Sequence, residues 1–535
     1  MQAEGSPPAG AEPTAPRPRR RGRAGRAAVS GGPPAGAAPV PRRRIPSYEL
    51  LDDQGLQRLE NHADWILDEI GVEFRGDDEA LELFAGAGAR IERLPPDKNG
   101  VSAGRVRFEP GLARHLCATA PSSFEMHGRD GRVVPIGGDH VVLSPAYGPP
   151  FVSDLDRGRR YATLEDFENF VKLTWSTPWL HHSGGTVCEP VDVPVNKRHL
   201  DMVHAHLRYS AKPFMGSVTA PQRAADSIEM ARIVFEAERG PEFLDDHCVI
   251  QGNINVNSPL VWDDVMSGAL KTYARANQGC VISPFIIGGA MGPVTQPALI
   301  AQAHAEAMTG IALSQLVRPG SPMVYGNFLT TMNLKSGAPT FGTPESVLAT
   351  YAIGQLARRL GLPLRCGAHY TASKVCDGQA MSESADAMNA GLLAGTNYVI
   401  HAAGWLEGGL VMSYEKFMMD LDRCAQLHHL LGGLVLDHNQ LAADAYREAG
   451  PGVAFLGTAH TLANVTTANY NSPLADTNSF EQWTDDGSLD AARRANAQWK
   501  QALADYEPPP LAPAVDLALQ SFIVDRKRSM PDAWY

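Results

Sequence analysis

LPLRCGAHYTASKVCDGQAMSE (Leu362–Glu383) begins as an apolar run, crosses a polar loop and enters a helix-like stretch. Six other segments share this layout. They are WLHHSGGTV (from Trp179), KPFMGSV (from Lys212), HCVIQGNINV (from His247), CVISPFIIGGA (from Cys280), PMVYGNFL (from Pro322) and NYVIHAAGW (from Asn397). Each run reads as a strand buried on both faces and ending at a polar or flexible rim. Strand–helix alternation implies a parallel sheet, and near eight units such a sheet closes on itself. The expected fold class is α/β: a TIM (β/α)8 barrel with an N-terminal α+β cap and a C-terminal helical extension. Catalysis in such barrels sits at the C-terminal ends of the strands.

Working outward, helices are expected over Asn196–Tyr209, Pro221–Glu238, Asp263–Asn277, Pro297–Leu316, Pro344–Leu360 and Gly378–Leu393. Several open on proline, which lacks the N–H that a helix start leaves unpaired. The eighth strand has two candidates, LVLDH (Leu434–His438) and the region around Val141–Ser144. Tyr48 to Leu83 reads as helical from its 3.6 period, with GVEF preceding a second helical candidate, Asp77–Phe84. The expected organisation is a basic tail over 1–45, a cap over 46–175, the barrel over 176–450 and a flanking segment over 451–535.

Composition narrows the class. Of 535 residues, 44% are hydrophobic and 20% charged, as in globular chains. No apolar stretch is long enough to span a bilayer, and no apolar core follows the basic N-terminus, so the cytoplasm is the expected compartment. The seven cysteines are widely spaced without a Cys-x-x-Cys, which argues against a disulfide framework or a zinc site. No metal site is expected. Residues 1–45 carry nine Arg and two Glu, so the remainder of a chain of net charge −12 is acidic. The tail has almost nothing to bury and is expected to be disordered. An acidic body suits a small cationic substrate better than a nucleic acid.

The loop after Leu364 offers a base, a cation, carboxylates and amide donors near one cavity. The ordinary alternative is loop and cap usage, with Asp377 as N-cap and Lys374 as solvated charge. Asn253, Asn255 and Asn257 alternate with apolar residues, which places all three on one strand face. Inward amides need partners, so a ligand or a network is expected there, or else a loop of Asx-turns. Of the histidines, His181, His182, His369 and His401 lie at or near run-ends. Tyr147, Phe151, Tyr325, Phe328, Tyr370 and Trp405 are rim aromatics, and aromatic cages hold quaternary ammonium groups. GGAMGPVT (Gly288–Thr295) has the wrong glycine spacing for a dinucleotide fingerprint.

Ordered segments from about Asp64 to Trp483 resemble the trimethylamine methyltransferase superfamily. They are WILDEIGVEF (from Trp65), SPAYGPPFVSDLDRGRRYATLEDF (from Ser144), NSPLVWDD (from Asn257) and PFIIGGAMGPVTQPALIAQAHAE (from Pro284). LPLRCGAHYTASKVCDGQAMSE, LLAGTNYVIHAAGWLEGGLVMSYEKFMMD (from Leu392) and FLGTAHTL (from Phe455) complete the set. The resemblance implies a TIM barrel that transfers a methyl group from a small amine to the Co(I) of a corrinoid. The best-known branch carries pyrrolysine, and this chain has only standard residues, which favours a quaternary amine such as glycine betaine. The sequence also lacks a cobalamin-binding Asp-x-His-x-x-Gly segment, so the resemblance implies a corrinoid (cobalamin) carried by a separate partner protein. In the implied roles Tyr325, Tyr370 and Trp405 flank the trimethylammonium, His369 and Lys374 bind a carboxylate, and Asn255 and Asn257 line the floor. Asp377, Gln379 and Glu383 organise the rim. His369, Asp377 and Glu383 are the candidates for catalytic work, and Gln379 and His401 for the corrinoid contact. Alternatives are trimethylamine as substrate, a non-corrinoid acceptor such as tetrahydrofolate, and a non-catalytic betaine-binding barrel. Nucleic acid and membrane are not expected partners, and a homo-oligomer is compatible with the sequence.

Overall fold

A computed structural model describes residues 39–534. At its centre lie parallel strands that follow one another in chain order. They are β1 (Val142–Leu143), β2 (Phe214–Met215), β3 (Ile250–Val256), β4 (Gly279–Ile287), β5 (Met323–Gly326), β6 (Leu364–Gly367) and β7 (Tyr398–Ile400). From β2 to β7 each pairs in parallel with the next, and β7 pairs with β1 through Tyr398↔Val142. The gap between β1 and β2 is closed by the extended segment His181–Gly184. His181 N–H donates to Leu143 O (2.9 Å), Ser183 N–H to Pro213 O (2.8 Å) and Met215 N–H to Gly184 O (2.8 Å). Eight staves therefore form a TIM (β/α)8-type barrel.

All seven apolar runs supply staves. The eighth is Val142–Leu143, from the segment expected as cap, and not Leu434–His438, whose Leu434 is exposed. The staves alternate with α1 (Leu164–Ser176), α2 (Arg198–Tyr209), α3 (Pro221–Arg239), α4 (Asp264–Arg275), α5 (Gln296–Val317), α6 (Pro344–Arg359), α7 (Gly378–Leu393) and α8 (Tyr414–Leu431). Local chemistry sets their starts. Thr163 and Asp166 form a capping box on α1, Asp377 caps α7 through Ala380 N–H, and Pro344 opens α6 behind Thr343. Helix α5 is apolar around most of its circumference because it is enclosed by the sheet and by the N-terminal helix Asp53–Trp65. Met308 on α5 is fully buried, so Met308→Ala would cost about 2–5 kcal/mol.

Alternation along the strands separates two cores. Outward residues such as Ile282, Tyr325 and Leu364 pack against the helices. Inward residues Val142, Met215, Val281, Val324, Tyr398 and Ile400 fill the base of the lumen. A hairpin, Ser123–His127 with Val133–Gly137, plugs that base with Met126, Val134 and Ile136. GVEF forms a strand, Val72–Arg75, that interrupts the helical reading of Tyr48–Leu83. Beyond α8 the chain continues in helices, including Ala491–Ala504 and Pro513–Arg528.

The expected tail needs division. Residues 1–38 lie outside the described residues. Residues 40–44 run across the base of the barrel: Val141 N–H donates to Pro41 O (3.0 Å), Arg43 N–H to Asp139 O (2.7 Å) and Arg44 N–H to Leu431 O (2.8 Å). Arg43 also donates to Thr396 O, and burial pulls its pKa down to about 10. Among the described residues no helix is long and apolar enough to cross a membrane.

Candidate active site at the barrel mouth

Strand ends β4 to β7 bring six rings together. Phe328 follows β5 and stacks on Tyr370, with centroids 5.2 Å apart and planes 6° from parallel. Trp405 lies 5.0 Å from Tyr370, 4.5 Å from His401 and 5.9 Å from Phe328, centroid to centroid. Phe341 closes one side at 5.4 Å from Tyr370 and 5.6 Å from Trp405, and Phe285 stands 4.7 Å from Phe328. The rings pack on one another in several orientations, and Phe328, Phe341 and Tyr370 also line a small cavity beside them. Such a surface is electronegative over the ring faces and poor in hydrogen-bond partners, which suits a methylated cation.

His401 belongs to this cluster at a structural cost. It lies just past β7 with φ +66°, a backbone region that L residues avoid. Its Nδ1 accepts Tyr147 N–H (3.1 Å), which fixes the ring. Burial, reinforced by the nearby Arg365 charge, holds its pKa well below the usual histidine range. The imidazole is therefore neutral at pH 7 and does not repel a cation.

Below the rings the lumen is polar. Arg365 on β6 is 1% exposed; its Nη1 donates to Asn327 O (2.9 Å), and its guanidinium lies 5.3 Å from the Phe328 centroid. Its Nε makes no hydrogen bond of good geometry, nor do Gln251 Nε2 and Oε1, Ser144 Oγ, Tyr370 Oη or Tyr398 Oη, although Tyr398 lies close to Ser144 and Gln251 and Tyr370 close to Arg365. Asn253 is buried alongside, its Oδ1 accepting Ser283 Oγ–H at 3.0 Å. Burial raises the Tyr370 and Tyr398 hydroxyls far above the ordinary tyrosine range, so both are neutral.

The loop that carries Tyr370 is pinned from below. Glu383 accepts Thr371 Oγ1–H (2.7 Å), Ala372 N–H (2.8 Å) and Gln379 Nε2–H (2.8 Å). Asp377 accepts Ser373 Oγ–H and Ala380 N–H, both at 2.9 Å. These amide and hydroxyl donors hold the Asp377 carboxyl below its ordinary value. Asp377, Gln379 and Glu383 thus hold the rim together and do not enter the ring cluster. The turn carrying Trp405 is pinned from behind. Gly404 N–H donates to Asp420 Oδ2 (2.9 Å), and Asp420 pairs with Lys416, both side chains fully buried.

The structure brings Phe328, Tyr370, His401 and Trp405 together and places Tyr325, His369, Lys374, Asn255 and Asn257 elsewhere. Tyr325, expected beside the cation, points out of the barrel and bonds His304 Nδ1 on α5 (3.0 Å), because successive strand residues alternate faces. His369, expected to bind a carboxylate, sits in the wall. Its Nδ1 donates to Ala402 O (2.7 Å), and burial lowers its pKa to about 4. Lys374 is exposed and donates to Ala372 O (2.8 Å). Asn255 is exposed on the rim, and Asn257 exchanges hydrogen bonds with Asp263 at 2.9 and 3.1 Å, which braces the loop that leads into α4. Sequence reasoning missed Phe285, Phe341, Arg365 and Gln251. The period-2 pattern of LPLRCG, with Leu364 and Cys366 outward, carried the signal for Arg365. Among the described residues no cluster of three His, Cys, Asp or Glu is placed to hold a metal ion.

A family model described as trimethylamine methyltransferase (MTTB) matches residues 19–531. The glycine betaine methyltransferase of Desulfitobacterium hafniense (strain Y51) is 37% identical over 488 residues, covering 91% of this chain and 98% of that protein. The trimethylamine methyltransferase MttB of Desulfitobacterium hafniense (strain DSM 10664 / DCB-2) is 25% identical, covering 88% and 92%. The proline betaine:corrinoid methyltransferase of Eubacterium limosum is 26% identical, covering 77% and 84%. With a family model matching nearly its whole length, a barrel of the expected kind and relatives that are methyltransferases, this chain belongs to the trimethylamine methyltransferase (MTTB) family and is an enzyme of the methyltransferase type.

Proposed function

We propose that this enzyme moves a methyl group from a small quaternary amine, of the glycine betaine type, to a corrinoid carried by a separate protein. The observation that carries the reading is the ring cluster of Phe328, Phe341, Tyr370, His401 and Trp405 at the barrel mouth. It offers a methylated cation aromatic faces, a neutral imidazole and exclusion of water. The similarity to a glycine betaine methyltransferase supports the same substrate class. Chemistry agrees, because a quaternary ammonium leaves as a neutral amine and needs no activating residue on the leaving nitrogen.

The corrinoid, when its carrier docks, supplies the Co(I) nucleophile. The rim suits a docked partner: Val294 and Leu334 are exposed and gather with Met332 around Gly289 at the end of β4. This chain's own residues do the positioning. The rings hold the cation, the bonds from Glu383 and Asp420 fix the two loops that carry Tyr370 and Trp405, and the closed cluster strips water from the methyl group. Holding the reactants in line is the main contribution such a protein makes.

The test is product identification. Incubated with glycine betaine and a Co(I)-corrinoid protein, the enzyme should release dimethylglycine in an amount equal to the methyl group transferred, as read by mass spectrometry. Release of dimethylglycine that does not depend on a corrinoid acceptor, or none with a demonstrably active acceptor, contradicts the proposal.

A further inference from the structure

We infer that Arg365 is the anion anchor of the site: it binds the carboxylate of a zwitterionic substrate and sets it with its methyl groups toward the mouth. The inference rests on the quaternary-amine reading above and adds the second half of the substrate. Three observations carry it.

The first is an uncompensated charge. Arg365 is buried, its one well-formed hydrogen bond is to the Asn327 carbonyl, its other near neighbour is the neutral Tyr370 hydroxyl, and no carboxylate among the described residues pairs with it. Other buried cations here are matched: Lys416 has Asp420, Lys271 has Asp77 and Arg129 has Glu238. Lys212, the remaining case, spends its donors on two carbonyls, Thr174 O and Thr177 O. A buried guanidinium without an acid is costly, and a carboxylate that meets its free edge removes that cost.

The second is the company it keeps. Strands β1, β3, β6 and β7 point Ser144, Gln251, Arg365 and Tyr398 into one layer of the lumen, and Tyr370 hangs above it. Tyr398 lies close to Ser144 and Gln251, and Tyr370 close to Arg365, yet none of these contacts has good hydrogen-bond geometry, and all five keep polar side-chain atoms not properly satisfied. Buried polar atoms are ordinarily satisfied, so an unpaired set on converging strands marks a place for a polar group that arrives with a ligand or water.

The third is depth. Arg365 precedes Gly367 on β6, and Tyr370 lies past the strand end. The charge is therefore deeper than the rings. A substrate with its ammonium among the rings and its carboxylate on Arg365 presents its methyl groups outward, where a docked partner is reached. At Gly367, between the two levels, the Tyr370 hydroxyl occupies the place a Cβ would take, so the tyrosine ring end reaches down toward the level of Arg365. A bare cation gains only the rings and is repelled by Arg365.

The experiment is calorimetric titration of wild type and Arg365→Gln with glycine betaine, choline and tetramethylammonium. All three ligands carry a methylated cation, and only the first has a carboxylate. Wild type is expected to favour glycine betaine over choline by about 30-fold or more, as for a charge-assisted pair. Arg365→Gln should lose most of that preference, while choline and tetramethylammonium bind equally well or better because the repelling charge is gone. Glycine betaine binding within threefold of wild type, or equal loss of all three ligands, overturns the inference. If Arg365→Gln does not fold, Arg365→Lys keeps the charge without the fork and should weaken glycine betaine alone. The wild-type preference needs no variant, and equal affinity for glycine betaine and choline overturns the inference. Wild type that binds no quaternary ammonium at all overturns the substrate reading itself.

Discussion

Gly367→Ala puts the ring cluster to a test that the structure quantifies. The added Cβ would lie 1.4 Å from Tyr370 Oη and 1.7 Å from its Cζ, far inside contact distance. Comfortable carbon contacts are about 3.5–4 Å, so the ring end must move by roughly 2 Å. Gly367 does not occupy a left-handed conformation, so alanine strains nothing in the backbone. The burden falls on Tyr370, which must leave its stacked position on Phe328 and its contact with Trp405. Lost ring pairs cost about 0.5–1.5 kcal/mol each, and the stiffer unfolded chain returns about 0.4–1 kcal/mol. The net loss of stability is therefore small. Binding suffers more in ratio: one wall of the cage is worth about 1–2 kcal/mol, or roughly a 5- to 30-fold weaker affinity for a methylated cation. Titration with tetramethylammonium of wild type, Gly367→Ala, Tyr370→Ala and the double variant closes a thermodynamic cycle. The double variant should bind no worse than Tyr370→Ala, because both changes remove one ring. Unchanged affinity in Gly367→Ala, or losses that add in the double variant, would refute the reasoning.

Other consequences follow from the same geometry. Lys374→Ala should leave KM and kcat within twofold, since its ammonium is exposed on the loop surface; a tenfold rise in KM would return it to the site. Lys416→Met strands the buried Asp420 carboxylate, and should cost about 3–5 kcal/mol in urea unfolding unless Asp420 is neutralised too. Removal of residues 1–45 takes away the strap held by Arg43 and Arg44 and should lower Tm relative to the full chain, and an unchanged Tm would show that the strap adds nothing. Acid should destabilise the protein below pH 6.5. His206, His369 and His428 have folded-state pKa values near 4, so between pH 6.5 and 4 the unfolded chain binds protons that the native chain refuses. Each then removes up to about 1.4 kcal/mol per pH unit as pH falls, and a flat stability from pH 6.5 to 5 would contradict their burial as neutral rings.

The barrel was legible because its periodicities are long and its helix starts are chemically marked. Gly378–Leu393 was expected with the observed bounds, and Pro221 and Pro344 marked two further starts. The stave at Val142–Leu143 was ambiguous because two strand residues carry no period of their own, and only pairing with β7 identifies them. Within the site, proximity to a strand end was a weaker guide than face. Tyr325 and Phe328 are three residues apart and so lie on opposite faces; the same alternation turns Arg365 inward. Phe341 enters from the stretch between β5 and α6, and its approach to Trp405 is a tertiary fact with no local signature. His369 illustrates the opposite failure: a histidine at a strand end whose ring is spent on a wall carbonyl.

The central claim is methyl transfer from a carboxylate-bearing quaternary amine. Its most direct test is the absorbance change from Co(I)- to methylcobalamin, followed with purified enzyme and a panel of glycine betaine, proline betaine, carnitine, choline and trimethylamine. The account expects methylcobalamin to form with at least one betaine, at a rate well above that with choline or trimethylamine. Trimethylamine consumed as fast as any betaine would contradict it. So would the absence of turnover with every quaternary amine while the cobalamin accepts methyl groups from a control enzyme.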